Sequence, residues 1–245
     1  MDRLLELTYR AEQSHFWFRG FRQYMRPALA RATAGVTSPS IIDCGCGTGS
    51  NLDMLRPFGR AVGFDLTRIG TEFARDHGHR VAQGSIGDIP FKSGAFDLAT
   101  SFDVFQVLPD AIEQSAIREM WRVVKPGGRI LLHVAALDIL YGGHSALSQE
   151  TRRYTPSRLR KLVEAAGFTV ERLTFDHFSL MPFILPVRLW HRFTAKDGET
   201  SESEIAVPMA PVNAALTALV SLEAIALRAV NMPVGSSLMC LARKR

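Results

Sequence analysis

The chain has 245 residues, of which 47% are hydrophobic and 22% charged, and it carries a net charge of +5. Length and composition fit an ordinary globular protein with one sizeable core, and they speak against a disordered or repeat-built chain. The Lys and Arg residues are scattered, with no basic stripe interleaved with aromatics, so nucleic acid is not expected as a partner.

Three cysteines, Cys44, Cys46 and Cys240, form an odd set without framework spacing, which fits a reducing compartment. The opening MDRLLELTYRAEQ carries charges where a signal peptide needs an apolar run of roughly 7–15 residues. A cytoplasmic location is therefore expected.

Residues 1–34 read as helical and end near Gly35, ahead of the turn-rich TSPS. SIIDC (40–44) is a short apolar strand, GCGTGS a glycine turn, and NLDMLRPF an amphipathic helix. AVGFDL (61–66) is a second strand, TRIGTEFARDHG (67–78) a second core helix closing on Gly78, and HRVAQGS (79–85) a third strand. FDLATSFD (96–103) makes a fourth, AIEQSAIREMWRVV (111–124) a helix broken by the turn KPGG (125–128), and RILLHVAA (129–136) a fifth strand. TPSRLRKLVEAAG is a helix with Thr155 as N-cap, Pro156 at its first position and Gly167 at its end. TVERLTF (169–175) and SLMCLARK (237–244) supply strands six and seven.

Strands alternating with helices imply a doubly wound, mostly parallel sheet of the α/β class, whose ligands bind at the carboxyl ends of the strands near the switch point. In DCGCGTG, Gly45, Gly47 and Gly49 follow the first strand, where the absence of a Cβ lets the backbone turn tightly and approach a ligand. A dinucleotide fingerprint would need G-x-G-x-x-G, but one register puts Ser50 and the other Leu52 at the third glycine. Asp65 ends the second strand beside this turn and can accept both hydroxyl protons of a ribose. Two carboxylates, Asp43 and Asp65, without a P-loop lysine favour a nucleoside that carries positive charge and lacks phosphates.

Taken in order, IIDCGCGTG, VGFD, QGSIGDIPF, FDLATSFDVFQVLPD and WRVVKPGGRILL resemble the core motifs of class I S-adenosylmethionine-dependent methyltransferases of the type 11 kind, over residues 41–136. The resemblance implies a Rossmann-like seven-stranded sheet with the last strand antiparallel, and S-adenosyl-L-methionine as cofactor with S-adenosyl-L-homocysteine as product. It places Gly45, Cys46, Gly47 and Gly49 along the methionine and ribose, Asp65 on the ribose, and Leu66 beside the adenine. It also places Ser85 and Ile86 at the adenine edge, and Ser101 and Phe102 beside the methionine and sulfonium. Asp43 would order the glycine turn or meet the ligand's amine through water. Ser85 stands where the family often has Asp, and Gln106-Val107-Leu108 where related sequences often read E-H-V, so a base expected at that histidine is absent.

The stretch HFWFRGFR (15–22) resembles an HWWFRGR-like segment carried by a subset of these enzymes, with Glu12, His15, Phe16, Trp17, Phe18, Arg19 and Gly20 matching most of it. One reading makes it a lid over the carboxyl edge, with Trp17 shielding the sulfonium and Arg19 gripping the methionine carboxylate. The other has the aromatics packing a helix onto the sheet while the arginines face solvent.

The loop after the fifth strand offers Tyr141, His144, Arg152, Arg153 and Tyr154 beside the acceptor. His144 is the candidate base, with Tyr154 and His15 behind it. Residues 176–235 form an apolar insertion suited to covering a hydrophobic or amphiphilic acceptor, or to forming a homodimer surface. Within it, residues 212–230 place Asn213, Thr217, Ser221 and Arg228 along one stripe of a helix with Glu223 as a second charge, giving three readings: a buried or partner-packed helix, a membrane-surface helix, or a span. His77 and His79 have no third ligand in view, so no metal is expected. One domain over 1–245 is expected: a lid (1–35), a cofactor core (40–175), a cover (176–235) and the last strand (236–245).

The activity expected is methyl transfer to a small hydrophobic or amphiphilic acceptor at oxygen or carbon, by a monomer or homodimer. The alternatives are a cofactor-binding subunit without catalysis that supports a partner, and an enzyme of this fold that uses the cofactor without methyl transfer.

Overall fold

The computed structural model describes residues 9, 11–142, 145, 148–186 and 207–245. Seven strands form one sheet in the order β3-β2-β1-β4-β5-β7-β6. They are β1 (Ser40–Cys44), β2 (Arg60–Asp65), β3 (Val81–Gln83), β4 (Phe96–Phe102), β5 (Val124–Ala135), β6 (Phe168–Asp176) and β7 (Ser237–Lys244). β1 through β5 run parallel to one another, and β7 is antiparallel to both β5 and β6. The winding reverses between β1 and β4, so the crevice beyond Cys44 and Phe102 is where a ligand is expected.

Among the described residues, helices α1 (Phe16–Thr33), α2 (Ser50–Leu55), α3 (Arg68–Asp76), α4 (Asp110–Val123), α5 (Pro156–Ala165) and α6 (Ala210–Ala226) cover the sheet. One apolar layer joins Ile117 and Met120 of α4 and Leu159 of α5 to the sheet; the other joins Phe21, Met25 and Leu29 of α1 and Val220 of α6 to its opposite face. The Thr155 hydroxyl caps α5 by accepting from the Arg158 N–H at 3.2 Å, as its sequence indicates.

Two of the differences from the sequence reading bear on packing. KPGG does not end the pairing: β5 starts at Val124, with Gly127 at φ +77° and a register shift opposite Phe96 and Leu98. The irregularity absorbs the glycines while β5 stays on the sheet. The 212–230 helix begins two residues earlier and stops at Ala226; Asn213 and Ser221 of its polar stripe face α1, whereas Arg228 lies past its end and is exposed. The Phe16 N–H donates to Asn213 Oδ1 at 2.9 Å, Asn213 Nδ2 donates to the Ser14 carbonyl at 3.0 Å, and Gln23 Nε2 donates to Ser221 Oγ at 3.0 Å. Glu223 accepts from the Phe178 and Ser179 N–H groups, both at 2.9 Å. The helix is thus fastened to α1 through polar groups, while Leu222 and Ile225 are exposed. No described helix is long and apolar enough to cross a membrane.

Candidate active site

The glycine turn leaves β1 with Gly45, Gly47 and Gly49 at φ +85°, +49° and +83°. A Cβ on Gly45 would lie 2.5 Å from Val104 Cγ2, whereas one on Gly47 would meet nothing within 4 Å, so the open side of the turn lies at Gly47. The Gly45 and Cys46 N–H groups donate to the Phe64 carbonyl at 2.9 and 3.0 Å, which ties the turn to the end of β2. Asp65 completes the link: its Oδ2 accepts from the Gly47 N–H at 2.9 Å, and its Oδ1 from the Thr67 N–H and hydroxyl at 2.8 Å each. Each carboxylate oxygen holds more than one acceptor position, so the edge of Asp65 can still receive hydroxyl protons. Leu66 follows it and is 69% exposed.

Asp43 is the second carboxylate. It is 1% exposed, and its Oδ1 accepts from the Thr100 hydroxyl at 2.7 Å, while Oδ2 has no hydrogen-bond partner. Burial, with Asp65 nearby, pushes its carboxyl up to about 7 despite the Thr100 bond. A buried carboxylate oxygen without a donor costs free energy until a cation or donor arrives. Asp43 therefore bonds to β4, and not to the glycine turn directly.

Of the other cofactor positions read from the sequence, Ser101 is fully buried and its hydroxyl donates to the Cys44 carbonyl at 2.9 Å, closing the switch point. Phe102 sits edge-on to Phe21 of α1 at 5.2 Å. The Cys46 side chain is buried against Gly63, so that residue can address a ligand only through its backbone. Ser85 accepts from the Gly87 N–H at 3.2 Å, in the loop that buries Ile86.

The N-terminal segment runs across this crevice. Tyr9 packs on Phe73 of α3 and on His77 at its end, and Glu12 Oε2 accepts from the Thr48 hydroxyl at 2.9 Å, directly on the glycine turn. Burial raises the Glu12 carboxyl, with Thr48, Ser50 and Arg22 opposing. His15 then caps α1, its Nδ1 accepting from the Trp17 N–H at 3.1 Å. From there Phe21 and Tyr24 bury against the sheet. The contact with the glycine turn thus comes from Glu12, ahead of HFWFRGFR, while Phe21 of that stretch packs on the sheet. Arg19 lies on the exposed side of α1, and Trp17 packs away from the glycine turn, over the end of β6. His144 lies outside the described residues. Arg152, Arg153 and Tyr154 do not flank an open pocket: Arg153 is buried against Glu150 at 3.0 Å, Arg152 donates to the Phe105 carbonyl at 3.0 Å, and the buried Tyr154 hydroxyl bonds Glu113. Burial, together with Glu113, raises the Tyr154 phenol well above its ordinary value, which keeps it protonated at neutral pH.

A group absent from the sequence reading lies on the other side of the crevice. His133 of β5 is 1% exposed and bridges two carboxylates: Nδ1 bonds Asp103 Oδ1 at 3.1 Å, and Nε2 bonds Asp176 Oδ1 at 3.3 Å. Carboxylates only accept, so both ring nitrogens donate. Burial works against the charged ring, but Asp103 and Asp176 push it up to about 10. Burial likewise opposes charge on Asp176, yet His133 and His177 hold that carboxyl below its ordinary value. His177 Nδ1 lies 2.6 Å from Asp176 Oδ1. Asp103 follows β4 at φ +58°, and Gln106 Nε2 donates to it at 3.1 Å. Among the described residues, His133, Asp176 and His177 form a group able to hold a metal ion. No spacing rule marks residues 43 positions apart. The available signal was an inward-facing histidine in the apolar run RILLHVAA and the pair Asp176-His177 at a strand end.

Comparison with known proteins agrees with this architecture. Residues 42–132 match the methyltransferase domain family model. A Mycolicibacterium smegmatis protein named "Probable S-adenosylmethionine-dependent methyltransferase" is 27% identical over 164 residues, covering 65% of this chain and 62% of its own length. The malonyl-[acyl-carrier protein] O-methyltransferase of Herminiimonas arsenicoxydans is 26% identical over 193 residues, 73% of either chain. The solved phosphoethanolamine N-methyltransferase 2 of Haemonchus contortus, in complex with S-adenosyl-L-methionine, superposes with a TM-score of 0.62 at 16% identity, covering all of this chain and 57% of its own. The chain spans about half the length of several curated relatives it matches. Over residues 42–132 the chain carries a methyltransferase domain, on a seven-stranded sheet whose fold it shares with the solved Haemonchus contortus protein.

Proposed function

We propose that this protein transfers the methyl group of S-adenosylmethionine to a small, apolar or amphiphilic organic acceptor at oxygen or carbon. The observation that carries the reading is the pair of carboxylates at the switch point: Asp65 beside the open glycine turn, and Asp43 with a buried oxygen that lacks a donor. These residues fit the cofactor. Asp65 would take the ribose hydroxyls, Leu66 and Ile86 the adenine, and the turn Gly45–Gly49 the methionine, with Asp43 oriented toward the cationic amine. The bound cofactor supplies an electrophilic methyl group on a positively charged sulfur. The protein's own part is positioning and exclusion of water. Glu12 and the crossing N-terminal segment cover the turn, while Asp103 presents a negative charge at the end of β4 that favours a cation there.

Isothermal titration with S-adenosylmethionine, S-adenosylhomocysteine and NADH is the direct test. Micromolar binding of the first two, weakened at least 100-fold in Asp65→Ala, is expected. Preference for NADH, or no binding, overturns the assignment.

A further inference from the structure

α6 meets α1 through its polar groups and turns an apolar face outward. Ala215, Ala218, Leu222, Ile225 and Ala229 recur at intervals of three and four and are all exposed, so they form one stripe along the helix and the turn after it. Leu222 and Ile225, the large members, are 66% and 62% exposed, and Met209 and Val212 extend the same apolar surface at the start of the helix. Between Val207 and Leu227 the sequence holds one charged residue, Glu223, and that side chain points inward to the Phe178 and Ser179 N–H groups. The stripe itself therefore carries no charge. A continuous exposed apolar surface of this kind marks a contact with a membrane or with another protein.

The stripe ends at a basic cavity. Ala229, its last member, lines a cavity of about 260 Å³ together with Arg31, Arg172, Arg228, Glu171 and Asn231. Glu171 is already paired, accepting from Arg129 Nε at 2.9 Å and from its Nη2 at 3.3 Å. Arg172 is held to the turn that closes α6: Nε donates to Asn231 Oδ1 at 3.0 Å, and Nη2 donates to the Val230 carbonyl at 3.1 Å and to the Leu227 carbonyl. Burial works against its charge, and Arg31 nearby adds to that cost. Arg31 and Arg228 are exposed, and among the described residues neither forms an ion pair with a carboxylate. Three guanidinium groups thus surround one cavity whose carboxylate is occupied by a fourth. A phosphate group satisfies such an arrangement, because guanidinium forks match its oxygens two at a time.

We propose that this flank docks the protein on an anionic lipid bilayer, with the outer stripe of α6 seated at the boundary of the acyl chains and a lipid phosphate held in the cavity by Arg31, Arg172 and Arg228. Ala229 belongs to both features, which puts the anion site where the apolar stripe meets the headgroup layer. A bilayer supplies both partners at once, apolar chains for the stripe and phosphate for the arginines. A second copy of this chain would cover the stripe, but it carries the same net charge of +5 and brings no phosphate. α6 lies on the surface in this arrangement, since no described helix is long and apolar enough to cross a membrane. The docking is independent of the reaction carried out in the crevice.

The test uses the full chain and one fluorescent probe. Cys44, Cys46 and Cys240 are buried, so Leu222→Cys adds a single accessible thiol, which is labelled with a polarity-sensitive fluorophore. Its emission should shift to the blue when vesicles of phosphatidylcholine with phosphatidylglycerol are added, and vesicles of phosphatidylcholine alone should bind at least tenfold more weakly. No response to the anionic vesicles overturns the proposal. Emission that is already blue without lipid and unchanged by vesicles overturns it as well: loss of that signal on dilution identifies a second copy over the stripe, and its persistence identifies residues 187–206 of this chain. Flotation of unlabelled protein with the same vesicles supplies the second arm. Arg31→Ala combined with Arg228→Ala should weaken binding to anionic vesicles at least tenfold, at about fivefold per charge removed, with the melting temperature unchanged. Leu222→Ser combined with Ile225→Ser should also weaken it at least tenfold. Equal affinity of the double arginine variant and the parent overturns the headgroup site, and saturable binding of inorganic phosphate by a parent protein that ignores vesicles assigns the cavity to a soluble anion and overturns the docking. S-adenosylhomocysteine affinity in both double variants should stay within twofold of the parent, because none of these residues lies at the glycine turn.

Discussion

The two halves of the sheet are built on different logic. In the half formed by β1, β2 and β3, the ligand-facing groups follow one another closely along the chain: the turn Gly45–Gly49 follows β1, and Asp65 closes β2 against it through the Gly47 N–H. In the half formed by β5, β7 and β6, the groups that meet come from distant positions. His133 reaches Asp176 across the intervening β7, and Trp17 arrives from the N-terminal helix. The first half is a motif; the second is an assembly, and its parts fail together when one is removed.

That contrast can be pressed hardest at His133. Replacing it by Ala leaves Asp176 buried and Asp103 without its cation, so His133→Ala should lose about 3–5 kcal/mol of stability in urea unfolding, a cost typical of breaking a buried pair. A loss under 1 kcal/mol would show the assembly to be loose. The pH dependence follows the same group. The folded value near 10 exceeds the ordinary one, so its contribution is fully present below the unfolded pKa of about 6.5 and is lost as pH rises toward 10. The melting temperature of the parent should therefore fall between pH 7 and 10, and His133→Gln should flatten that slope.

Gly45 offers a smaller break in the other half. Gly45→Ala combines φ +85° with a 2.5 Å approach to Val104, and should cost about 2–3 kcal/mol and weaken S-adenosylhomocysteine binding in titration. Gly47→Ala at φ +49°, with nothing nearby, should cost about 1 kcal/mol and act mainly on binding.

Asp43 sharpens the comparison further. Its carboxyl lies near 7 in the free protein, and a cationic ligand favours the carboxylate. Affinity for S-adenosylhomocysteine should rise about tenfold between pH 6 and 8, with Asp43→Asn abolishing the rise. The smallest effect is expected at the fastening of α1: Asn213→Ala removes the bonds to the Phe16 N–H and the Ser14 carbonyl and should cost about 1 kcal/mol in thermal unfolding.

Much of this was written in the chain order. Alternating strands and helices, the glycine turn and Asp65 set the sheet and the cofactor side, because those signals depend on local spacing and on backbone conformations that only certain residues adopt. The polar stripe of α6 was visible as a stripe, but its direction was not, since periodicity shows which residues share a face and not what that face meets. Arg152, Arg153 and Tyr154 looked like site residues because they are polar and sit in a loop after β5; the structure turns them toward Glu150, Phe105 and Glu113.

By itself, then, the sequence determined the class of fold, the switch point and the carboxylates that face it. Tertiary structure alone decided that His133, Asp176 and His177 come together, that Trp17 covers the last of them, and that Asp43 keeps one oxygen without a donor. The physical reason is range: a turn or a strand end is fixed by neighbours in the chain, whereas a buried charge network exists only once strands far apart in sequence have paired and excluded water from the space between them.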